Sequence, residues 1–586
     1  MMKNKILAAV AGAAFVAAPG AMAAEFDLGS LDGNFDTTLA YGIQMRMDER
    51  DDSLVGKANL NPATAAMTPT DFIAAPGAFS ANSDNGNLNY DDGDLISNAA
   101  KITSELSLRG QNLGFFARGF YFHDFENEDN PNLSAAASDW IGSRGDLLDA
   151  FVYGDWAVGE SQRPVSVRVG KQVVSWGEST FIQGGINVIN PVDVANLRVA
   201  GAELREAFLP VNSVWSSIGI TDDVSVELFW QAAWKEVRVD PAGTYWSTQD
   251  FVGRGADPVL LGFGQFTLDQ AVGAGVAVPQ AAANTPSDSG QYGAALRWFV
   301  PGLDTEFGLY ALQYHSRLPL LSGIAVTGTS PSTGRYFLDY PEDISLYGLS
   351  FNTVMAGVAW QGEYSYRPDM PLQVDDVELL FAALTPLNVA LPNSQFRSQL
   401  GSYGPGEVVQ GYVRHKVGQA QVTGTYLFGQ RAPFGASNMV VLGEVGVTHV
   451  YDLPDQAVLR YEGPGTFTGG GADRTTGDLR NPVTQQGGFA TKTSWGYRLV
   501  TRLDYPNALG AWNVAPRLAF SHDVNGTSPG PGGNFIEDRK SVSVGVNFLY
   551  LEKFAVDVSY STFSGAEEFN LIHDRDFAAI DFKYSF

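Results

Sequence analysis

From Phe35 the chain alternates: Phe35, Thr37, Leu39, Tyr41, Ile43, Met45 and Met47 fall on one face, and Asp36, Thr38, Ala40, Gln44, Arg46 and Asp48 on the other. Side chains on a strand point to opposite faces with a period of two, so the pattern predicts a strand with one apolar and one polar face. The alternation returns in 101–110, 147–158, 224–235, 292–300, 305–314, 344–351, 354–366, 409–417, 422–428, 440–450, 496–505, 512–521, 542–550 and 554–562. Most of these segments are about ten residues long, the length of a tilted bilayer crossing. The last stretch, 577–586, sends Ala578, Ile580, Phe582, Tyr584 and Phe586 one way and Ala579, Asp581, Lys583 and Ser585 the other. Aromatics at alternate positions before a terminal Phe predict the closing strand of an outer-membrane barrel, with Phe582, Tyr584 and Phe586 as the signal for its assembly machinery. The fold class expected is an all-β transmembrane antiparallel barrel of about 16 strands, within bounds of 14 and 18, in a single domain.

The N-terminus adds a compartment. Lys3 and Lys5 precede an apolar run, then Pro19-Gly20 and Ala21-Met22-Ala23-Ala24, the layout of an export leader cleaved after Ala23. The expected division is a signal peptide over 1–23 and a barrel over 24–586 in the Gram-negative outer membrane. The leader run is too short to span, and no later run is longer, so any crossing is made by strands.

Composition narrows the function. The formal net charge is −27, which disfavours nucleic acid as a partner because phosphates require a basic surface. There is no Cys, which removes disulfides and thiolate metal sites. With 65 Gly, 36 Phe, 23 Tyr and 11 Trp the chain suits many turns and half-apolar strands, while a mean hydropathy of −0.07 is too polar for a helical membrane protein. The acidic stretch Asn89-Tyr90-Asp91-Asp92-Gly93-Asp94 offers oxygens to calcium, but its spacing misses the twelve-residue calcium loop, and a solvated acidic turn is the plainer reading. The long connections 253–289 and 463–488 read as outer loops.

One block departs from alternation. Residues 168–193 start as a strand and break at Gly184-Gly185 and Asn190-Pro191, and a short helix is predicted over 202–209 before Pro210. Polar groups concentrate in this block: Arg168, Lys171, Gln172, Glu178, Asn187, Asn190, Asp193, Arg198, Glu203, Arg205 and Glu206, with Trp176, Phe181 and Phe208 among them. Irregular backbone at membrane depth is tolerated only where it lines a cavity or is buried in protein. Residues 168–210 are therefore expected to plug the lumen or cap its periplasmic mouth and to line the substrate path, with structural ion pairing as the competing role for the charges.

Three functions follow. One is a conduit or receptor for an apolar or amphipathic cargo; the second is a passive porin whose Arg168, Lys171, Arg198 and Arg205 face Glu178, Glu203 and Glu206 across a constriction. The third is a membrane hydrolase. Gly177-Glu178-Ser179-Thr180-Phe181 misses the nucleophile elbow at its fifth residue, and neighbours in sequence such as His315-Ser316 and His522-Asp523 point to opposite faces of a strand. No catalytic residue, metal or cofactor is expected.

The block Trp176-Gly177-Glu178-Ser179, Gly185-Ile186-Asn187-Val188-Ile189-Asn190-Pro191-Val192-Asp193 and Gly201-Ala202-Glu203-Leu204-Arg205-Glu206 resembles the signature of a proteobacterial outer-membrane family of unknown function. The likeness continues through Tyr314-His315-Ser316-Arg317-Leu318-Pro319, Tyr340-Pro341-Glu342-Asp343, Glu363-Tyr364-Ser365-Tyr366-Arg367-Pro368, His522-Asp523-Val524-Asn525-Gly526 and Asp574-Arg575-Asp576-Phe577. The resemblance implies a barrel often encoded beside an exporter of the resistance-nodulation-division (RND) type and a periplasmic lipid-carrier-like protein, and so movement of hydrophobic compounds or lipids. It supplies no catalytic or binding residues.

Overall fold

The computed structural model describes residues 24–391, 396–467 and 487–586. The expected leader and the run Thr468-Gly469-Gly470-Gly471-Ala472-Asp473 lie outside them. Nineteen strands make one antiparallel sheet: β1 (Ala24–Leu28), β2 (Leu31–Arg46), β3 (Leu95–Arg109), β4 (Leu113–Asp124), β5 (Ser143–Val158), β6 (Arg163–Gln172), β7 (Val211–Gly219), β8 (Val224–Gln231), β9 (Gln291–Val300), β10 (Thr305–Tyr314), β11 (Ile344–Met355), β12 (Val358–Gln373), β13 (Tyr412–Leu427), β14 (Asn438–Val450), β15 (Thr493–Leu509), β16 (Trp512–Asn525), β17 (Lys540–Tyr550), β18 (Phe554–Ser564) and β19 (Phe577–Ser585). Each of β2 to β19 pairs with the next, and β19 returns to β2 with Tyr584 opposite Leu39 and Phe582 opposite Tyr41. The result is a closed ring of eighteen strands, with β1 folded back along the lower half of β2. Closure satisfies every wall strand on both sides, which membrane depth demands of a sheet.

Eighteen is the upper bound of the expected range. The sequence pattern split β13 at Gly418 into two segments, passed over β4 and β7, and read of β6 only the part from Arg168 on. In β4 the run Leu-Gly-Phe-Phe-Ala-Arg-Gly-Phe-Tyr-Phe doubles its aromatics, and register slips between Ala117 and Gly119 blur the period.

Connections at one end are tight, such as 110–112, 159–162, 356–357 and 510–511, and those at the other are long. Barrels of the outer-membrane type keep short turns at the periplasm, which makes the long-loop end the outer end. Wall faces follow the sequence alternation. Val152, Val169, Val214, Leu349, Val422 and Val544 are exposed on the outside, while Glu105, Glu227, Glu363, Glu444 and Asp581 point into the lumen toward the insert. No helix among the described residues is long and apolar enough to span a membrane. The longest is α1 (Asp376–Leu384), which packs in the outer loops through Val377, Phe381 and Leu384.

Phe586 closes the ring by main-chain bonds in both directions, its N–H donating to Thr37 O at 3.0 Å and its carbonyl accepting from Thr37 N at 2.8 Å. Deleting Phe586 removes both, worth about 1 kcal/mol each. The deletion is expected to lower the temperature at which the compact, heat-modifiable gel band is lost; an unchanged temperature would exclude a closing role for this residue.

Candidate functional site

The connection between β6 and β7, residues 173–210, starts at the outer end and crosses the lumen. Asn190 joins its two ends: its side-chain carbonyl accepts Val174 N at 2.9 Å and its amide donates to Leu209 O at 2.9 Å. Two wall carboxylates then hold the backbone of the insert. Glu363 accepts the amides of Glu178 (2.5 Å) and Ile186 (2.8 Å), and Glu444 those of Thr180 (2.9 Å), Phe181 (2.6 Å) and Ile182 (2.8 Å). Arg367 donates to the carbonyls of Gly184 (2.7 Å) and Gly185 (2.6 Å). Backbone dipoles that a helix or sheet would have paired are here paired by charged wall groups, which is how irregular chain survives inside a barrel. Glycine is required where the insert meets the wall, since a Cβ on Gly185 would fall 1.7 Å from Glu363 Oε1, and one on Gly42 of β2 would fall 2.7 Å from Gly201 N.

The expected path residues separate into anchors and exposed groups. Trp176 is 1% exposed, donates its indole N–H to Glu227 at 2.7 Å and packs edge-on against Phe229. Asp193 accepts from Arg144 (2.8 Å) and Arg238 (3.0 Å) and caps the short helix Val194–Arg198 through Asn196 N. Glu206 is held by Lys101 and Thr103 of β3, and Arg205 bridges Glu105 and Glu203, with Lys583 of β19 at 3.4 Å from Glu203. Glu178 lies near Arg297 and accepts from Asn352. Arg198 stacks on Trp246 at 4.5 Å, and Asn187 donates to Ser175. Arg168 and Gln172 stay on the lumen face of β6, Arg168 stacked on Trp215 at 4.1 Å.

Two expectations are corrected. Lys171 takes the outer face of β6 with Val165, Val167 and Val169, because strand alternation outweighs the polar company it keeps in sequence. The helix expected over 202–209 is only a turn, Leu204–Glu206; Gly201 at φ +74° breaks the approach, and the Glu206 side chain is drawn to Lys101 instead of solvent. Of the two places expected for the insert, the lumen and the periplasmic mouth, it takes the lumen.

The sequence pattern missed the wall partners. Glu227, Arg297, Glu363, Arg367 and Glu444 each sit on a strand where a lone charge reads as an ordinary lumen residue; two glutamates facing one glycine-rich segment is the signal that was available. The opposite wall carries the bidentate pair Arg517–Asp557 (2.5 and 2.6 Å) and the half-exposed Arg502.

Above the insert lies a cavity of about 500 Å³, lined by Phe181, Val188, Phe208, Leu318, Met370 and Pro531 among others. A second, of about 320 Å³, shares Val237, Leu318, Pro531 and Gly532 with it and adds Val239, Trp246 and Phe251. A third, of about 100 Å³ against α1, shares Phe251, Leu321 and Asp376 with the second. The three form a series of mostly apolar spaces from the outer loops down to the insert. Where the outer two meet, the oxygens of Asp375, Asp376 and Glu462 lie within 4.8 Å of one another, and burial pushes the Asp376 carboxyl up to about 7. The Asn89–Asp94 stretch is a turn in which Asp94 accepts the Asp91 amide at 2.9 Å.

Several family-like motifs turn out to be braces. Arg46, fully buried, pairs with Asp574 at 3.1 Å, and Arg575 donates to Asn87 and Ser247 O. Tyr340 donates to Glu236. His315 and Ser316 bond in different directions, the ring to Ser289 O and the hydroxyl to Leu318 O, and Asp523 beside His522 is bound by Arg498 and Arg539.

The fold aligns over most of its length with solved structures at low similarity. Acinetobacter baumannii OccAB1 shares 9% identity at a TM-score of 0.40, covering 94% of this chain and 96% of that one. Pseudomonas aeruginosa OccK1 (OpdK) gives 9% and 0.40, covering 94% and 98%, and OpdK with vanillate gives the same values. No curated protein matches the sequence. The profile described as "Protein of unknown function (DUF1302)" matches residues 4–586, and the chain belongs to that family.

Proposed function

We propose that the protein is an outer-membrane conduit for hydrophobic or lipid-like compounds, passing them with an RND-type exporter and a periplasmic lipid carrier as partners. The observation that carries this reading is the series of three mostly apolar cavities stacked on a lumen-crossing insert. A passive polar pore has no use for Phe181, Phe208, Leu318 and Met370 converging on the cavity above the insert, whereas an apolar cargo gains about 25 cal/mol for each Å² it buries there. Outer-membrane lipids surround the wall, and the small apolar cargo occupies the cavities. The reading assigns no catalytic step.

The second reading, a diffusion porin, draws on Arg502, the Arg517–Asp557 pair and Lys583, which line the wall facing the insert. Liposome swelling separates the two. Size-limited sugar flux through the protein alone supports the porin; no flux, together with an apolar species retained on native extraction and identified by mass spectrometry, supports the conduit.

Leu318 lies at the junction of the two larger cavities. Leu318→Asp places a carboxyl in an apolar passage, at a cost of 1–3 kcal/mol or more for the occupant. Binding of a fluorescent apolar probe to the purified barrel is expected to weaken roughly tenfold, and an unchanged affinity removes the cavities from the path.

A further inference from the structure

We propose that the outer rim of the wall formed by β5 to β8 is a binding site for the phosphate of an outer-leaflet lipid, held by Lys171 and Lys235. Lys171 stands on the membrane face of β6, one step above Val169, whose cross-strand partners Val152 and Val214 are exposed on the same face. Trp230 and Tyr121, both about half exposed on the outside, mark the level where hydrocarbon gives way to headgroups. A lysine directly above that belt reaches the phosphate layer by extending its four-carbon stem.

Lys235 arrives from the connection after β8 and donates to Pro210 O at 3.0 Å, while Lys171 donates to Leu147 O. Pro210 lies two residues before Asn212, the cross-strand partner of Lys171, so Lys235 brings its ammonium group to the same corner of the rim as Lys171. Burial and the nearby Lys171 and Arg238 bring Lys235 down to about 8. The surrounding charges do not balance. Arg144 and Arg238 share Asp146 and Asp193, and Asp149 is taken by Arg118. Asp146 also faces both lysines, so Arg144, Arg238, Lys171 and Lys235 share Asp146 and Asp193, and this corner of the rim carries more positive than negative charge on a chain whose net charge is −27. A phosphate monoester carries between one and two negative charges at neutral pH and presents three acceptor oxygens, which matches two ammonium groups in both charge and donors.

The test uses the full mature chain in phosphatidylcholine nanodiscs containing either bisphosphorylated lipid A or the same lipid without its phosphates, with retained lipid counted by native mass spectrometry. The native protein is expected to retain the phosphorylated lipid and not its dephosphorylated counterpart. A Lys171→Gln, Lys235→Gln variant should retain it roughly thirtyfold more weakly, at about 1 kcal/mol for each basic side chain near the surface. A Lys171→Arg, Lys235→Arg variant should restore retention, Lys540→Gln on the far wall should leave it unchanged, and heat-modifiable migration reports that each barrel is folded. Equal retention of both lipids, which needs no variant, overturns the proposal, as does full retention by the folded Gln variant. Complete displacement of the lipid by millimolar inorganic phosphate makes this a site for a soluble anion and overturns the assignment to lipid.

Discussion

A Glu363→Gln, Glu444→Gln double variant is expected to pass markedly more current per channel in planar bilayers than the native barrel and to let sugars swell liposomes. The two carboxylates accept five backbone amides of the insert between them. Glutamine keeps the size but turns one acceptor oxygen into a donor that faces other donors. Breaking buried, charge-assisted anchors of this kind costs about 3–5 kcal/mol, which raises the undocked population of the insert at least a hundredfold. The wall is unaffected, because neither residue takes part through its side chain in the β12 to β15 ladder. Native current and no swelling in a folded double variant would mean that the insert is held by its hydrophobic contacts alone, through Trp176, Ile186 and Ile189.

The barrel was legible because lipid on one side and water on the other write a period of two into each strand. In β2, β8 and β19 the faces read from sequence are the faces observed, down to Asp581 and Lys583 turning inward beside Gly201 and Glu203. Strand number was not fully legible. β4 doubles its aromatics because both faces near the outer end are apolar, Phe120 and Phe122 packing inward on Val199 and Ala200 of the insert. The insert was legible as an interruption, since glycine pairs and Asn-Pro cannot continue a ladder. What its charges do was not, because that depends on partners more than a hundred residues away: Glu206 on Lys101, Glu178 near Arg297, and the amides of 178–186 on Glu363 and Glu444. Lys171 shows the opposite limit, where local polar company misled and the strand period was right.

Raising the pH from about 5 to about 9 is expected to loosen the outer loops while the wall stays intact, and Asp250→Asn is expected to remove most of the effect. Asp250, in the connection between β8 and β9, is 2% exposed. Burial first, and the neighbouring Asp84 carboxylate second, push its carboxyl up to about 8 from the ordinary 3.8. Between those values the folded loop keeps a proton that the unfolded loop has released, so stability is full below about 4 and is lost as the pH rises through 8. The ceiling on the loss is about 6 kcal/mol over the whole window and about 4 kcal/mol above pH 5, and relaxation of the loop makes it smaller. Asp376, pushed up to about 7 by burial, acts with the same sign. Asparagine stays neutral at every pH and can still accept the Asn85 amide that Asp250 now holds at 3.2 Å. Protection against hydrogen exchange, measured relative to the intrinsic rate at each pH, should therefore fall with pH around Asn85 and Asp250 in the native protein and change far less in the variant; identical protection at both pH values in the native protein would place the ionisation elsewhere. Gln249 and Phe251, on either side of Asp250, line both outer cavities. The same loosening widens the apolar entry, so uptake of an apolar probe by the native barrel should be faster at pH 9 than at pH 5, with a much smaller difference in Asp250→Asn, where only Asp376 still titrates.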